Sequence, residues 1–401
     1  MSWIEDAEFA PDKPFGPQTL PYGVLVTGSG PVVAVRVGRH ALPLRGIVGE
    51  LGPRLADLVS GDSLDPLLAA GRDAWRELRE RLVGIVTADR APAGAELVRT
   101  DWHTLSMPFT VGDYVDFFAS RHHAENAGRI MARSSAPLPE NWTHLPVAYH
   151  GRSGTVRVSG TDVHRPSGQR KAAGDAHPAF GPTRRLDFEA EVGFVCGGEA
   201  AAQIPTSEFA DHVFGVALVN DWSARDVQSW ESKPLGPFLA KSFATSIAGW
   251  ITPLEAFEHA RVPVPPPEQP LQPYLVEDES WGLDLRLEVR CNETVLSKPR
   301  FADMYWSPAQ QLAHMTVGGA PARPGDLFAS GTVSGPERDQ RGCLLELTWG
   351  GSDPITLSDG EQRTFLQDGD RVTLSGSAPG PGGSVVGLGE VTGTVLAAAR
   401  R

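Results

Sequence analysis

Residues 186–194 alternate apolar and polar side chains without a break. On an extended strand the apolar side chains occupy one face, and Asp187, Glu189 and Glu191 occupy the other. Glu189 and Glu191 therefore point the same way, about 6.6 Å apart along the strand. Two carboxylates this close must be solvated, share a proton or hold a cation. Taken alone, the pattern favours a strand with one solvated face, because one-sided burial is normal for antiparallel strands.

A second alternating stretch, residues 283–291, provides an internal comparison. Its polar positions mix two acidic and two basic residues, as a solvated face should: Asp284, Arg286, Glu288 and Arg290. The polar face of residues 186–194 has three acids and no base. The contrast indicates that the face with Glu189 and Glu191 is not an ordinary solvated face.

An apolar run at residues 213–219 predicts a buried strand that leads to Asp221. A carboxylate at the end of a buried strand is held by a rigid element, as a functional site requires. A helix is predicted to begin just after it, with Arg225, Asp226 and Gln228 in its first turn. Asp226 could contribute a carboxylate to the site, or it could simply stabilise the N-terminus of this helix.

Residues 114–127 are predicted to form a helix, with Thr110 able to cap it. Asp116 and His123 are seven residues apart, which is two helical turns, so they would share one face. For such a pair taken alone, a surface aspartate and a hydrogen-bonded histidine are the commoner explanation.

Three further polar residues stand in segments that suggest a site. Lys241 follows an apolar stretch, where a lysine is rarely buried without a carboxylate partner. Residues 343–349 are predicted to form a strand with Glu346 between two leucines, although this too fits a solvated face. A turn at Tyr149 could present a hydroxyl group to a ligand.

The first part of the chain predicts a small N-terminal domain, residues 1–106. Residues 23–27 and 32–37 are predicted strands separated by a turn, and one amphipathic helix is predicted to start at Asp65 and Pro66. Its apolar positions are Leu68, Trp75, Leu78 and Leu82. This domain has no group of residues typical of a catalytic or metal site. The candidate site residues all lie in the second domain, residues 107–401.

Composition narrows the class of protein. The chain has 401 residues and a net charge of −13, from 36 basic and 49 acidic residues, which argues against nucleic acid or an anionic membrane as a partner. Its 44 glycines and 34 prolines indicate many turns and a β-rich fold. The three cysteines are scattered along the chain, a pattern that favours unpaired thiols in the reducing cytoplasm. Neither a signal peptide nor a membrane span is expected.

Four acidic residues could converge to make a metal site. They would provide only oxygen donors, a set suited to Mg²⁺ or Ca²⁺ and poor for zinc. The four are Asp116, Glu189, Glu191 and Asp221. Spacing alone does not show that these residues meet.

The remaining candidates describe an acid–base site. An imidazole titrates near neutral pH, so His123 suits a general base, and Glu346 behind it would orient the ring and stabilise the imidazolium. With nearby donors, the set describes metal-assisted addition of water to a carbonyl. These donors are Arg225, Gln228 and Lys241.

These residues lie in segments that resemble a known family, the fumarylacetoacetases, hydrolases that end tyrosine catabolism. The resemblance covers essentially the whole chain, and the motifs occur in the family's order. The matching segments are residues 20–24, 112–124, 139–152, 186–191, 220–226, 234–243, 329–332, 344–347 and 363–370. The Glu-x-Glu and Asn-Asp-Trp-Ser-Ala-Arg-Asp motifs mark the wider superfamily. The N-terminal domain and the pair of His123 and Glu346 indicate the fumarylacetoacetase branch.

The resemblance implies a mechanism. Ca²⁺ or Mg²⁺ would bind the β-diketone oxygens of 4-fumarylacetoacetate. The cation would be held by four carboxylates, those of Asp116, Glu189, Glu191 and Asp221. His123, backed by Glu346, would activate water to attack a carbonyl. The oxyanion and the departing acetoacetate enolate would be stabilised by three donors, Arg225, Gln228 and Lys241. Arg133, Tyr149 and Thr332 would help to place the substrate.

The resemblance also implies a fold and an assembly. The fold would be mixed α+β and β-rich, with a small SH3-like N-terminal barrel followed by a large β-roll catalytic domain. Members of the family are homodimers, so a homodimer is expected here as well.

Two positions depart from the family. Phe118 stands where the family has a substrate-contacting tyrosine, and Ser232 replaces a second tyrosine. The two lost hydroxyl groups leave a related activity open, hydrolysis or decarboxylation of another acylpyruvate-like diketone or β-keto acid. A non-catalytic binding protein with a structural metal is a third hypothesis, but such a site has no need of His123 beside Glu346.

Overall fold

The structure, a computed structural model, describes residues 2–100, 105–132, 137–172 and 174–399. Strands and short helices form a mixed α+β, β-rich fold around a 12-stranded sheet. Within the described ranges, no helix has both the length and the apolar character needed to cross a bilayer.

The large sheet combines strands from the whole chain. Its main path, in order of neighbouring strands, is Val98–Arg99, His40–Pro43, Gly30–Val37, Tyr22–Thr27, Trp250–Pro253, Val213–Asp221, Ala190–Cys196, Leu327–Ala329, Tyr114–Phe117 and Ala148–His150. Thr245–Ile247 pairs with Val213–Asp221, and Val156–Val158 pairs with Thr245–Ile247. The N-terminal strands therefore continue the sheet that contains the candidate site.

A smaller five-stranded sheet joins the same hydrophobic core. Its strands, in order, are Thr294–Ser297, Arg286–Cys291, Arg371–Pro379, Val385–Leu396 and Val163–His164. Four two-stranded ribbons complete the described strands: Ser167–Arg170 with Ala179–Pro182, Leu186–Asp187 with Ser223–Ala224, Arg261–Val262 with Gly282–Leu283, and Ile355–Thr356 with Gln362–Arg363. In the core, Phe194 stacks on Phe328 with ring centroids 5.2 Å apart.

Apart from Arg72–Thr87, which has 16 residues, the described helices have nine residues or fewer. The α-helices are Val48–Leu51, Pro53–Val59, Asp65–Ala69, Arg72–Thr87, Arg121–Ala127, Phe209–His212, Arg225–Glu231, Pro308–Thr316 and Leu344–Leu347. The 3₁₀ segments are Leu44–Ile47, Glu140–Thr143, Ser153–Thr155, Thr206–Glu208, Leu254–Ala260, Pro273–Leu275, Phe301–Asp303, Arg338–Gln340 and Pro381–Gly383, and Gly128–Ala132 is a π-helical turn.

The N-terminal elements agree with the prediction, except that the predicted helix is divided into two. The predicted strands are present as Tyr22–Thr27 and Gly30–Val37. The predicted single helix is two helices, Asp65–Ala69 and Arg72–Thr87. Gly71 separates them because its backbone is left-handed (φ 82°), a conformation that glycine adopts without steric cost.

The prediction of one helix over residues 114–127 is wrong. Tyr114–Phe117 is a strand, and the helix begins only at Arg121–Ala127. The strand forms because its four buried residues pair with a neighbouring strand on each side. Ser120, and not Thr110, caps the helix, since its hydroxyl oxygen accepts a hydrogen bond from a backbone N–H of the first turn at 3.2 Å.

Residues 186–194 are not one continuous strand. Leu186–Asp187 pairs with Ser223–Ala224, whereas Ala190–Cys196 pairs with Val213–Asp221. Every residue from 186 to 194 is buried. The explanation as a strand with a solvated face is therefore excluded.

The predicted strand that leads to Asp221 is confirmed, whereas the predicted strand at residues 283–291 is present only as Arg286–Cys291, because Leu283 ends a separate strand, Gly282–Leu283. All nine residues of Val213–Asp221 are buried. Along Arg286–Cys291 the polar residues are partly or fully exposed and the apolar residues are buried, as the mixed charges indicate.

The predicted strand at residues 343–349 is wrong, because Leu344–Leu347 is a helix. The alternation of leucines around Glu346 suggested a strand, but the first two backbone N–H groups of the helix donate to Asp187 at 2.7 and 2.9 Å. This tertiary contact favours the helix, and Glu346 is fully buried within it.

Candidate active site

Four carboxylates meet at the centre of the large sheet. Each offers one oxygen, and these oxygens all lie within 4.8 Å of one another. The four residues, here called the acidic quartet, are Asp116, Glu189, Glu191 and Asp221, and all are buried. Strand pairing explains the convergence: Ala190–Cys196 lies beside Val213–Asp221 on one side, and Leu327–Ala329 joins it to Tyr114–Phe117 on the other.

The oxygen atoms of the quartet fit a hard divalent cation. Oδ1 of Asp116 and both carboxylate oxygens of Glu191 are buried and accept no hydrogen bond from any described residue. Burial and the nearby charge of Asp221 raise the pKa of Asp116 well above its usual range, and burial and the charge of Asp116 do the same for Glu191. Unpaired buried carboxylates are costly, and Ca²⁺ and Mg²⁺ are coordinated by such oxygens.

Asp187 has a different environment from the quartet. Its carboxylate accepts hydrogen bonds from Arg225 Nε at 2.8 Å and from the backbone N–H groups at the start of Leu344–Leu347. Both oxygens are therefore used to fix Arg225 and this helix. Asp187 is accordingly not one of the four carboxylates whose oxygens converge.

Two cations lie against the quartet, as the apolar setting of Lys241 suggested. Lys241 Nζ is 2.5 Å from Glu189 Oε2 and 3.0 Å from Asp221 Oδ2, and Arg225 Nη1 is 2.7 Å from Glu189 Oε1. Burial alone raises the pKa of Glu189, but the charges of Lys241 and Arg225 lower it below its usual range overall. Burial alone lowers the pKa of each cation, and the carboxylates raise both above their usual values, so Lys241 and Arg225 stay charged.

Arg225 also reaches the next turn of its own helix. Its Nη1 donates to Gln228 Oε1 at 3.1 Å. Its Nη2 is buried and donates to no described residue. This atom is therefore available to an oxygen of a ligand. Asp226 instead serves the helix start, since its carboxylate accepts hydrogen bonds from backbone N–H groups of Arg184 and Val227.

His123 and Glu346 form a buried pair, although the two residues lie 223 positions apart in the chain. Nδ1 of His123 is 2.6 Å from Glu346 Oε2, and Nε2 is 3.9 Å from Glu189 Oε1. The imidazole ring therefore lies between Glu346 and the acidic quartet. Burial raises the pKa of Glu346, but the charge of His123 and several hydrogen bonds more than offset it and leave the pKa at about 2.

Two donors that sequence reasoning missed hold Glu346 in place. Asn126 Nδ2 donates to Oε1 at 2.9 Å, and Ser334 Oγ donates to Oε2 at 2.8 Å. Asn126 follows His123 by three residues on the same helix, so helical spacing could have identified it. Ser334 has no such local signal, because its contact depends on tertiary packing.

The residues expected to place a substrate have varied settings. Tyr149 Oη donates to Asp221 Oδ2 at 3.0 Å, from a strand instead of the predicted turn. Thr332 is buried, and its hydroxyl group has no partner among the described residues. Phe118 meets His123 edge to face, with ring centroids 5.3 Å apart. Arg133 lies outside the described residues. Ser232 donates from its hydroxyl group to the carbonyl oxygen of Gln228 at 2.6 Å.

A cavity of about 300 Å³ opens beside the quartet. Its lining includes Tyr149, Asp221 and Lys241, together with Tyr114 and Thr245, which sequence reasoning missed. Tyr114 precedes Asp116 by two residues on one strand, so alternation could have identified it. Thr245 donates to Asp221 Oδ1 at 3.0 Å and has no sequence signal.

Comparisons with known proteins extend over the whole site. A family model described as fumarylacetoacetate (FAA) hydrolase C-terminal matches residues 114–396, and one described as fumarylacetoacetase N-terminal matches residues 18–108. The chain is 44% identical over 407 residues to a fumarylacetoacetase of Arabidopsis thaliana, with 96% of each chain covered. It is 40% identical over 420 residues to a fumarylacetoacetase of Homo sapiens, with 99% of each covered.

Solved structures share the fold at low sequence identity. A fumarylacetoacetate hydrolase from psychrophilic Exiguobacterium antarcticum superimposes with a TM-score of 0.57 at 16% identity, covering 94% of this chain and 99% of that one. A maleylpyruvate hydrolase from Sphingobium gives a TM-score of 0.53 at 14% identity, covering 94% of this chain and 100% of that one. Similarity at this level concerns the fold alone.

Proposed function

This chain belongs to the fumarylacetoacetase family, and we propose that it is a metal-dependent hydrolase that cleaves a C–C bond of 4-fumarylacetoacetate. The products are fumarate and acetoacetate, and the reaction is the last step of tyrosine catabolism. One observation carries the proposal: the acidic quartet lies beside the His123–Glu346 pair, with His123 Nε2 3.9 Å from Glu189 Oε1. A cation site next to a general base suits the hydrolysis of a β-diketone.

The acidic quartet is the proposed site of the cation, Ca²⁺ or Mg²⁺. The unpartnered oxygens of Asp116 and Glu191 support this assignment. When bound, the cation supplies Lewis-acid polarisation of the substrate carbonyl groups. Lys241 and Arg225 keep Glu189 ionised and oriented.

His123 is the proposed general base. An ionised carboxylate only accepts hydrogen bonds, so the ring hydrogen lies on Nδ1 towards Glu346, and Nε2 keeps a lone pair. Nε2 takes a proton from the water that attacks the carbonyl carbon, and Glu346 stabilises the imidazolium. The C–C bond then breaks, and the proton passes from Nε2 to the acetoacetate carbon.

Arg225, Gln228 and Lys241 are the proposed donors for the negative charge that develops. The carboxylates raise the pKa values of Lys241 and Arg225, so both groups are cationic where they face the site. The buried, unpartnered Nη2 of Arg225 supports its role towards an oxyanion. Gln228 is held beside it through the hydrogen bond from Arg225 Nη1.

Four residues are proposed to position the substrate: Arg133, Tyr149, Thr332 and Phe118. Tyr149 lines the cavity, and the hydroxyl group of Thr332 is buried without a partner, which supports their roles. Phe118 presents a ring where a family tyrosine would add a hydroxyl group, and it contacts His123. We propose that this change affects substrate affinity and leaves the base in place.

We further propose two domains: an SH3-like barrel within residues 1–106 and a β-roll within residues 107–401. The two family models, at residues 18–108 and 114–396, support this boundary. A cytoplasmic location is supported by Cys196, Cys291 and Cys343, which are all buried and unpaired.

A homodimer is proposed from the family and from an exposed apolar segment. Leu235, Phe238 and Leu239 are 95%, 59% and 51% exposed, and large apolar side chains rarely cluster on a free surface. Replacing Leu235 and Phe238 with glutamate should shift the mass measured by light scattering towards a monomer. An unchanged mass would remove this support.

The test of the activity is the loss of substrate absorbance after the protein is added to 4-fumarylacetoacetate. Turnover should stop when a chelator removes divalent cations and return when Ca²⁺ or Mg²⁺ is restored. The second candidate, hydrolysis or decarboxylation of a related acylpyruvate or β-keto acid, is motivated by Phe118 and Ser232. No turnover of fumarylacetoacetate, with turnover of a shorter acylpyruvate, would favour this second activity.

A further inference from the structure

A second group of metal-ligand atoms lies beside the acidic quartet. The Sγ atom of Cys343 is 3.2 Å from Glu346 Oε2 and 3.9 Å from His123 Nδ1. The third side of this triangle, from Nδ1 to Oε2, is 2.6 Å. All three side chains are buried. Thiol sulfur, imidazole nitrogen and carboxylate oxygen thus face one another in a single small space.

The triangle approaches the size of a zinc site. In a tetrahedral site with bonds of about 2.0–2.3 Å the ligand atoms lie about 3.3–3.6 Å apart, and the two sides that meet at Cys343 Sγ, 3.2 and 3.9 Å, are close to this. The side of 2.6 Å between Nδ1 and Oε2 has the length of a hydrogen bond and lengthens when the cation replaces the hydrogen. We propose that Cys343, His123 and Glu346 form a second cation site, selective for a thiophilic divalent cation such as Zn²⁺.

The two sites differ in the chemistry of their donors. The quartet provides only carboxylate oxygens, which suit Ca²⁺ or Mg²⁺, whereas the Cys343 site adds sulfur and nitrogen donors, which suit Zn²⁺. Asn126 and Ser334 hold the Glu346 carboxylate with hydrogen bonds of 2.9 and 2.8 Å. Such outer contacts orient metal ligands in established sites.

Zinc binding at this site displaces protons. Burial and the charge of Glu346 raise the pKa of the Cys343 thiol well above its usual range, so without a cation the sulfur keeps its hydrogen. When the cation binds, the thiol proton leaves to solvent and the ring hydrogen of His123 is relocated from Nδ1 to Nε2, so that the sulfur and Nδ1 each direct a lone pair to the ion.

The consequence for activity rests on the proposed function. The cation takes the place of the hydrogen that joins His123 to Glu346, so the pair no longer supports proton transfer at Nε2. Zn²⁺ is therefore an inhibitor that does not need to displace Ca²⁺ or Mg²⁺ from the quartet.

The binding test does not depend on activity. The purified protein is saturated with excess Ca²⁺ and titrated with Co²⁺, whose coordination by a thiolate gives a charge-transfer absorption in the near ultraviolet. We expect this absorption with one Co²⁺ per chain, and its loss in Cys343→Ser and Cys343→Ala. The control is Cys291→Ser, which changes another buried cysteine and should keep the absorption. Stabilisation of each variant by Ca²⁺ checks that it is folded.

The outcomes separate this site from the proposed function. No absorption in the Ca²⁺-saturated protein, or an equal absorption in folded Cys343→Ser, would overturn the site. An absorption that depends on Cys343 supports the site even if fumarylacetoacetate is not turned over, in which case the proposed function alone fails. If the protein is active, Zn²⁺ should reduce turnover at least tenfold in Cys291→Ser. Full activity with the site occupied would overturn the inhibition.

Discussion

Glu189 and Glu191 lie two residues apart and have opposite surroundings. Both oxygens of Glu189 lie within 2.7 Å of a cation, Lys241 on one side and Arg225 on the other. Neither oxygen of Glu191 accepts a hydrogen bond from the part of the chain that the structure describes. Glu189 therefore anchors two donors, whereas Glu191 is available to a metal ion.

Glu191→Gln should abolish the response of the protein to divalent cations, because it replaces a carboxylate with no other partner. Thermal unfolding with increasing Ca²⁺ or Mg²⁺ measures this. The unaltered protein should gain about 2.7 kcal/mol when the cation is at 100 times its dissociation constant. An equal gain in Glu191→Gln would contradict the quartet as the cation site.

Glu189→Gln should destabilise the protein even when a chelator is present, because it leaves Lys241 and Arg225 with less negative charge around them. Removing one partner of a buried ion pair costs about 3–5 kcal/mol. Denaturant unfolding in chelator measures the change, and Glu191→Gln is the matched control, with a smaller loss. Equal losses in the two variants would refute the different roles of these neighbouring residues.

Ser334→Ala should lower kcat about 10–100-fold and leave KM nearly unchanged, because Ser334 contacts Glu346 and does not line the cavity. Steady-state kinetics separates the two constants. Ser334→Thr, which keeps the hydroxyl group, should recover part of the rate. A variant with normal kcat would show that the hydrogen bond to Glu346 has no effect on proton transfer.

The raised pKa of Glu277, a residue outside the proposed active site, predicts that the stability of the protein depends on pH. Burial raises its pKa from 4.5 to about 7, despite the hydrogen bond from Ser307 Oγ at 2.6 Å. Between these values the folded state binds more protons than the unfolded state, so the free energy of unfolding falls as pH rises from about 4.5 to about 7. Glu277→Gln should reduce this decline in denaturant unfolding, and an unchanged pH profile would contradict the assignment.

The sequence predicted the buried strand to Asp221 and the special nature of the Glu189 face, because these depend on local apolar runs and charge patterns. It misjudged residues 114–127, since a spacing of seven fits a helix while the actual strand depends on pairing with Leu327–Ala329. It also misjudged the helix around Glu346, whose first N–H groups are held by Asp187. Contacts between distant segments leave no periodic signal.

The convergence of the acidic quartet likewise depends on contacts between distant segments. Asp116 reaches Glu191 only because the short strand Leu327–Ala329 lies between their own strands. No local pattern indicates that pairing, and family motifs supplied the expectation instead. Ser334 and Thr245 went unnoticed for the same reason, because each contacts a site carboxylate from a remote segment.

The central claim is that His123 is the base beside a cation site to which it does not belong. The most direct test is the turnover of 4-fumarylacetoacetate by His123→Ala at saturating Ca²⁺ or Mg²⁺. We predict a loss in kcat of about 10²–10⁴-fold. Stabilisation by the cation should equal that of the unaltered protein. Turnover close to that of the unaltered protein would contradict the mechanism.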